Sequence, residues 1–315
     1  MALWRGIQFL FFRQWKRLKV YVNERGISVI GDIPIYVAAD SADVWTAPEQ
    51  FQLDAELRPT ELAGCPPDSF SEVGQLWGNP LFDWDFMRQD GYAWWQRRIS
   101  FQLGIYDILR IDHFRGFDSY YAIPAGDRDA RRGRWRPGPG IQLFETIEEN
   151  TGKQPIIAED LGFLTPSVLR LLEESGFPGM KVLQFAFDSR DTGMGYLPHC
   201  YPRNCVAYVG THDNDTAIGW MESAPAADVA RAKAYLRLSA DEGYHWGMMR
   251  SVWASVADLA IIQLQDLLGL GSEGRFNTPA TLSDRNWTWR CPAGAYGREL
   301  AARLRYETAL YERLG

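Results

Sequence analysis

Histidine and cysteine are scarce, with four of each among 315 residues. Cys65, Cys200, Cys205 and Cys291 have neither the density of a disulfide framework nor paired metal-ligand spacing, so a reducing compartment is expected and a structural zinc is not. Basic charge is in deficit: 33 Lys and Arg stand against 40 Asp and Glu, a net charge of -7. That balance argues against a nucleic-acid polyanion as the main partner, with Arg128, Arg131, Arg132, Arg134 and Arg136 as the one local basic patch of note. Long apolar runs are missing too. The stretch Ile7 to Phe12 is too short to span a bilayer and lacks the small-residue cleavage site of an export signal. No repeat at solenoid spacing and no low-complexity linker divides the chain. Asp127 and Asp129 lie close together, but an Arg-rich stretch follows them and no oxygen-ligand loop for calcium is recognisable.

Aromatic rings are plentiful: 13 Trp, 14 Tyr and 16 Phe. Such rings fill a large core or stack on sugar rings, and composition alone leaves both uses open. At 46% hydrophobic residues the chain can bury one large core or two smaller ones.

The most informative stretch runs from Tyr106 to Phe117. Ile108 to Ile111 reads as a short buried strand, and the two-residue period puts Arg110 and Asp112 on the same side of it. A guanidinium that holds a carboxylate ionised suits a nucleophile or an electrostatic stabiliser; a purely structural ion pair at a strand end is the other reading. His113 and Arg115 crowd the same end. Two more apolar strands break into acids: Pro155 to Ala158 into Glu159 and Asp160, and Cys205 to Gly210 into His212 and Asp213. The three ends are spaced roughly fifty residues apart, enough for a crossover helix and its loops, as in an α/β barrel that gathers its site from the C-terminal ends of its strands.

The remaining elements follow that rhythm. Ile7, Phe11, Trp15, Leu18 and Val22 keep helical spacing and Gly26 stops the helix, which is read as packing on a sheet in preference to lying on a membrane surface. Ile27 to Ile30 reads as a strand ending in Gly31-Asp32. Residues 38–85 and 127–140 read as turn-rich excursions over the top of the barrel, the first carrying Phe70 and Trp77 as rings that face sugar or pack the loop. Helices are expected over 92–103, 143–149, 165–175, 226–240, 246–255 and 299–314, and further strands over 180–187 and 259–263. Thr165-Pro166 and Gly176 mark the ends of one helix. Strand ends at Asp32, Asp112, Glu159, Phe187, Asp213 and Gln263 make six of the eight of a closed barrel, with the shortage before the first helix. Residues 1–315 are accordingly read as one catalytic barrel portion with two loop insertions.

Several stretches together resemble the amylomaltases, disproportionating 4-alpha-glucanotransferases of glycoside hydrolase family 77. They are Gly31-Asp-Ile-Pro-Ile-Tyr-Val37, Asp40-Ser-Ala-Asp-Val-Trp45, Gly74-Gln-Leu-Trp-Gly-Asn-Pro-Leu81, Arg110-Ile-Asp-His-Phe-Arg-Gly-Phe117, Ala158-Glu-Asp-Leu-Gly162, Gly179-Met-Lys-Val-Leu-Gln-Phe-Ala-Phe187, Gly210-Thr-His-Asp-Asn-Asp-Thr216 and Asn286-Trp287. The resemblance implies an alpha-amylase-like (β/α)8 TIM barrel and a further N-terminal portion with the first strands, so that roughly the first third of a usual member is expected to be absent. It implies Asp112 as nucleophile, Glu159 as general acid and then base, and Asp213 as the carboxylate that stabilises the transition state, with retention through a covalent glycosyl-enzyme. Arg110 then holds Asp112 ionised, His212 hydrogen-bonds the sugar at the cleavage point, Asp32 does so less directly, and Phe70 and Trp77 cover the acceptor side. One departure stands out: Ser69 occupies a position where members commonly carry tyrosine, which removes one surface for gripping the acceptor. The implied substrates and partners are maltooligosaccharides and alpha-1,4-glucans, with no cofactor, metal, nucleic acid or membrane, in the cytoplasm or, in a plant, the plastid. Glucan transfer, glucan hydrolysis and glucan binding that is weak or absent, without turnover, are the three readings: the motifs favour the first, the shortage of opening strands favours the third for this chain, and the products of maltotriose separate them.

Overall fold

Parallel strands of three or four residues carry the charged segments, and among them residues 109–111, Ile156–Ala158 and Cys205–Tyr208 are buried throughout. The computed structural model describes residues 2–67, 71–162, 164–189 and 194–314. The chain divides into two compact units, Met1–Gly179 and Met180–Gly315.

The first unit opens with helix α1 (Ala2–Asn23), which buries none of its residues and ends in a turn where Gly26 takes φ 74°. Strand β1 (Ile30–Ile33) follows, then α2 (Ala42–Thr46), β2 (Glu61–Cys65), β3 (Gln75–Pro80), α3 (Trp84–Gln89) and α4 (Ala93–Ile105). Next come β4 (Ile108–Ile111), β5 (Ser119–Pro124), β6 (Arg134–Pro137), α5 (Ile141–Thr151), β7 (Ile156–Ala158) and α6 (Pro166–Ser175). Helix α6 begins and stops as its sequence predicts: the Thr165 side chain accepts from Val168 N–H, Pro166 opens the helix, and Gly176 adopts the left-handed conformation.

Strands β1, β4 and β7 form a parallel sheet with β4 central, pairing Asp32 with Arg110 and Ile111 with Ala158. The first strand starts at Ile30, three residues later than the apolar pattern suggests, so Asp32 lies within it. Upstream, side chains take over part of the ladder: Asn23 Nδ2 donates to the Ile27 carbonyl at 2.9 Å and Val29 N–H donates to Asp107 Oδ2 at 2.7 Å, while the Val29 carbonyl still accepts from Asp107 N–H at 2.8 Å. Gly31 permits a close approach, since a Cβ there would fall 2.0 Å from the Tyr106 ring.

Helix α1 packs differently from its expected seat on the sheet. It meets the C-terminal end of α4, where Trp15 Nε1 donates to the Ile105 carbonyl and Lys19 Nζ to the Tyr106 carbonyl, both at 2.9 Å. Apolar residues lie on more than one side of α1, so this narrow stripe leaves Leu3, Trp4, Phe9, Leu10 and Phe11 exposed.

The largest correction concerns the two excursions. They contribute β2, β3 and β6 to a four-stranded antiparallel sheet in the order β3-β2-β5-β6, whose remaining strand, β5, lies between them in the sequence. β2 is half-buried or buried along its whole length and β6 carries the exposed Arg134, Trp135 and Pro137, so neither shows a period of two. Below the sheets, Phe82, Trp84, Trp94, Trp95 and Phe117 pack ring against ring with centroids 5.0–6.3 Å apart. Much of the aromatic load is thus core.

The second unit begins with β8 (Gly179–Val182) and continues through β9 (Cys205–Tyr208), α7 (Ala217–Ser223), α8 (Ala226–Leu236), α9 (Tyr244–Trp253), β10 (Leu259–Ile261), α10 (Leu264–Leu267) and α11 (Arg298–Leu310). β9 is central in the sheet β10-β9-β8 and runs parallel to β10. The strand expected over 180–187 stops at Val182; Leu183–Phe187 winds into a 3-10 turn that still buries Leu183, Ala186 and Phe187. Helix α8 ends at Leu236 because Arg237 turns left-handed at φ 55°. These elements enclose a second core around Met248, Met249, Val252 and Phe187.

Candidate active site

In the first unit, pairing of Asp32 with Arg110 in register sets up a charged cluster. Arg110 Nη1 donates to both carboxylate oxygens of Asp32 at 2.7 Å and lies 3.1 Å from Asp112 Oδ1. The expected Arg110–Asp112 contact is therefore present, and Asp32 shares the same guanidinium. Arg110 is buried, whereas the Asp32 and Asp112 side chains are each more than two-fifths exposed. Burial works against the Arg110 charge, but Asp32, Asp112 and Glu159 outweigh it and drive its pKa upward.

Glu159 is fixed to the end of β4 by its backbone and its carboxyl group. Its N–H donates to the Ile111 carbonyl at 3.0 Å and its carbonyl accepts from Phe114 N–H at 3.1 Å. Its Oε2 accepts from His113 N–H at 2.7 Å and its Oε1 from Leu161 N–H at 2.9 Å. Although the residue keeps some solvent access, its carboxyl is densely surrounded by protein. Desolvation, followed by the nearby Asp112 charge, raises its pKa to about 7 against the opposing pull of Arg110 and the two backbone donors. One acid thus favours its protonated form beside two carboxylates that share a guanidinium, an arrangement able to divide acid and nucleophile roles.

His113, with φ 55°, turns the chain out of β4. Burial, reinforced by Arg115, lowers its pKa to about 3, so the ring is neutral. Trp77 on β3 packs edge-on to this ring with centroids 4.8 Å apart, and lies 6.2 Å from the Tyr36 ring. The antiparallel sheet therefore brings a half-buried indole to the residue next to Asp112. Phe70, the other expected ring, lies outside the described residues, as does Ser69.

In the second unit, the chain after β9 stays buried through Thr211 before presenting His212 and Asp213. His212 Nε2 is 3.4 Å from Asp213 Oδ2. The segment before α11, read from sequence only as a loop, braces both: Asn277 Nδ2 donates to Asp213 Oδ1 at 2.6 Å, Arg275 Nη2 donates to the Asp213 carbonyl at 2.8 Å, and Asn277 N–H donates to the His212 carbonyl at 3.0 Å. These partners carry no periodic signal, and the nearby stretch that the sequence marks is Asn286-Trp287. The Trp287 ring lies 5.2 Å from the His212 ring. Fully buried Asp266 accepts from Ala217 N–H at 2.6 Å through Oδ1, while no partner among the described residues meets its Oδ2. Desolvation raises its pKa to about 7, the Ala217 donor opposing and Asp215 reinforcing the shift.

Among the described residues no group of three or more His, Cys, Asp or Glu is placed to hold a metal ion. Asp127 and Asp129 are engaged by Arg132 and Arg131. No helix of the described residues is long and apolar enough to cross a membrane.

A family profile described as 4-alpha-glucanotransferase matches residues 1–295. The chain is 49% identical over 312 residues to a 4-alpha-glucanotransferase of Clostridium butyricum, covering 98% of this chain and 64% of that protein. It is 47% identical over 310 residues to the chloroplastic/amyloplastic 4-alpha-glucanotransferase of Solanum tuberosum, covering 98% of this chain and 54% of that protein. Among solved structures it is similar to the amylomaltase of Streptococcus agalactiae in complex with acarbose, with a TM-score of 0.94 at 42% identity over 98% of this chain and 62% of that one. The chain thus spans a little under two thirds of the length of these bacterial relatives.

Proposed function

We propose, from the premise that this chain belongs to the 4-alpha-glucanotransferase family, glycoside hydrolase family 77, that it moves alpha-1,4-glucan segments between maltooligosaccharides by a retaining double displacement. The observation that carries this reading is the pairing of Glu159, whose pKa is raised to about 7, with Asp112, which shares Arg110 with Asp32. In the proposed first step Glu159 protonates the leaving glycosidic oxygen while Asp112 attacks the anomeric carbon, giving a glycosyl-enzyme. In the second, the ionised Glu159 takes the proton from the acceptor's 4-hydroxyl as that oxygen displaces Asp112. A pKa near 7 suits both halves, because the group must exist in each form within one turnover. Asp213 stabilises the charge that develops on the sugar, and His212 and, less directly, Asp32 hydrogen-bond the sugar at the cleavage point. Retention requires the carboxyl groups of Asp112 and Glu159 to lie roughly 5–5.5 Å apart.

Transfer also requires an acceptor to outcompete water. Trp77 and Phe70 are proposed to hold the acceptor glucan, with Ser69 weakening that grip relative to a tyrosine. The strands of the two three-stranded sheets are proposed to belong to an alpha-amylase-like (β/α)8 barrel, with residues 1–315 a single catalytic portion acting on glucans in the cytoplasm or, in a plant, the plastid.

Maltotriose tests the reading, with the Clostridium butyricum relative run beside this chain as reference. Glucose together with maltooligosaccharides longer than maltotriose is the expected outcome. Glucose and maltose alone would assign hydrolysis, and unchanged maltotriose beside an active reference would leave glucan binding without turnover.

A further inference from the structure

Trp287 combines two locally unfavourable properties. It is a bulky residue at φ 64°, in the left-handed region where side chains other than Gly, Asn and Asp are uncommon, and it leaves 59% of its surface in solvent. Its surroundings hold it there. Trp287 N–H donates to the Phe276 carbonyl at 2.9 Å, and its ring stands edge-on to Phe276 at 5.3 Å. Preceding it, Asn286 accepts from Thr278 N–H at 3.2 Å and donates to the Thr281 carbonyl at 3.1 Å. The same segment braces Asp213 through Asn277, so the strained residue belongs to a loop already engaged with the site. A strained conformation kept by several converging contacts and ending in an exposed indole beside His212 is a reason to look for a ligand.

We infer that the Trp287 indole is a stacking platform for a glucosyl ring of the bound glucan, next to the sugar held by His212 and Asp213. The inference rests on the glucan-transfer reading and adds a substrate-positioning residue to it. An indole face offers a flat apolar surface to the C–H face of a hexose at small conformational cost. His212, 5.2 Å from the indole between ring centres, is close enough to hold the adjoining sugar of the same chain. Trp287 makes no bond and moves no proton; it fixes where the chain of sugars lies.

The test measures maltoheptaose affinity of the intact chain by calorimetry for wild type, Trp287→Phe, Trp287→Ala and Trp287→Gly. Trp287→Ala is expected to weaken binding about tenfold and Trp287→Phe about two- to threefold, in line with loss or retention of an aromatic face. Trp287→Gly relieves the left-handed backbone while removing the ring, so it should bind as poorly as Trp287→Ala while its Tm is no lower than wild type. A structural brace would show the opposite: lowered Tm in Trp287→Gly with affinity unchanged, which overturns the inference. With 5-fluorotryptophan incorporated, the 19F resonance missing from Trp287→Phe must move when maltoheptaose is added to wild type. A stationary resonance together with wild-type binding also overturns it. No maltoheptaose binding by the wild-type chain, while the Clostridium butyricum relative binds, defeats the glucan reading of this chain and this inference with it.

Discussion

At the scale of single residues, the chemistry turns on which acid keeps its proton. Glu159 must be protonated to begin the reaction, and burial together with Asp112 raises its pKa to about 7. Under saturating maltotriose, with glycosylation limiting, turnover is therefore expected to fall as pH rises through about 7. Replacing Glu159 with Gln should remove that limb and cost roughly 10²–10⁴-fold in rate. Asp112→Asn, which keeps the shape beside Arg110 and removes the attacking carboxylate, should cut turnover by several orders of magnitude. Initial rates across pH 5–9 check both expectations, and an unchanged alkaline limb in Glu159→Gln would remove Glu159 from the acid role. Asp112, Glu159, His212 and Asp213 stand out in the sequence as candidates because each follows an apolar strand, where an acid or base is conspicuous, and Arg110 because it interrupts one. The sequence disclosed much less about what holds them. Asn277 and Arg275 sit in an irregular segment, and the sharing of Arg110 with Asp32 depends on strand register, which one strand's pattern does not encode.

At the scale of elements, short strands limited what could be read. Ile108–Ile111 was legible because four consecutive apolar or paired residues end in charge, and the Thr165-Pro166 start of α6 was legible because capping chemistry is local. β2, β3 and β6 were not, since their pairing brings together residues as distant as Glu61 and Pro124 and half-buried positions blur the alternation. Gly31 shows how an element can depend on a missing atom. A Cβ there would overlap Tyr106, the residue whose carbonyl receives Lys19 and whose ring packs against Trp15 at 5.9 Å. Gly31→Ala is expected to displace Tyr106, loosen α1, and lower stability by about 1–3 kcal/mol. Urea denaturation gives the stability change, and faster amide exchange in α1 relative to α5 would locate it.

At the scale of the whole molecule, each unit contains a densely surrounded acid with a raised pKa, Glu159 in one and Asp266 in the other. Because both folded values lie above the unfolded ones, their contribution to stability is complete below about pH 4 and is lost as pH rises through about 7. Tm should consequently decline by several degrees between pH 5 and pH 8, and Asp266→Asn should flatten part of that decline, as calorimetry at closely spaced pH values can measure. An identical slope in the variant would show that Asp266 titrates as in the unfolded chain. The antiparallel sheet has a different sort of consequence, for the protein's tolerance of change in chain length. Strand β2 of the first insertion pairs residue for residue with β5, Glu61 with Pro124 through Gly64 with Tyr121, and β6 of the second pairs with the same β5, so a one-residue deletion within any of them would shift the register of the sheet. Added or deleted residues are thereby expected to be tolerated better in a connection such as 125–133 than within the paired strands. The indole beside His113 hangs from this shared fabric, and either insertion can be lengthened only where its strands are not paired.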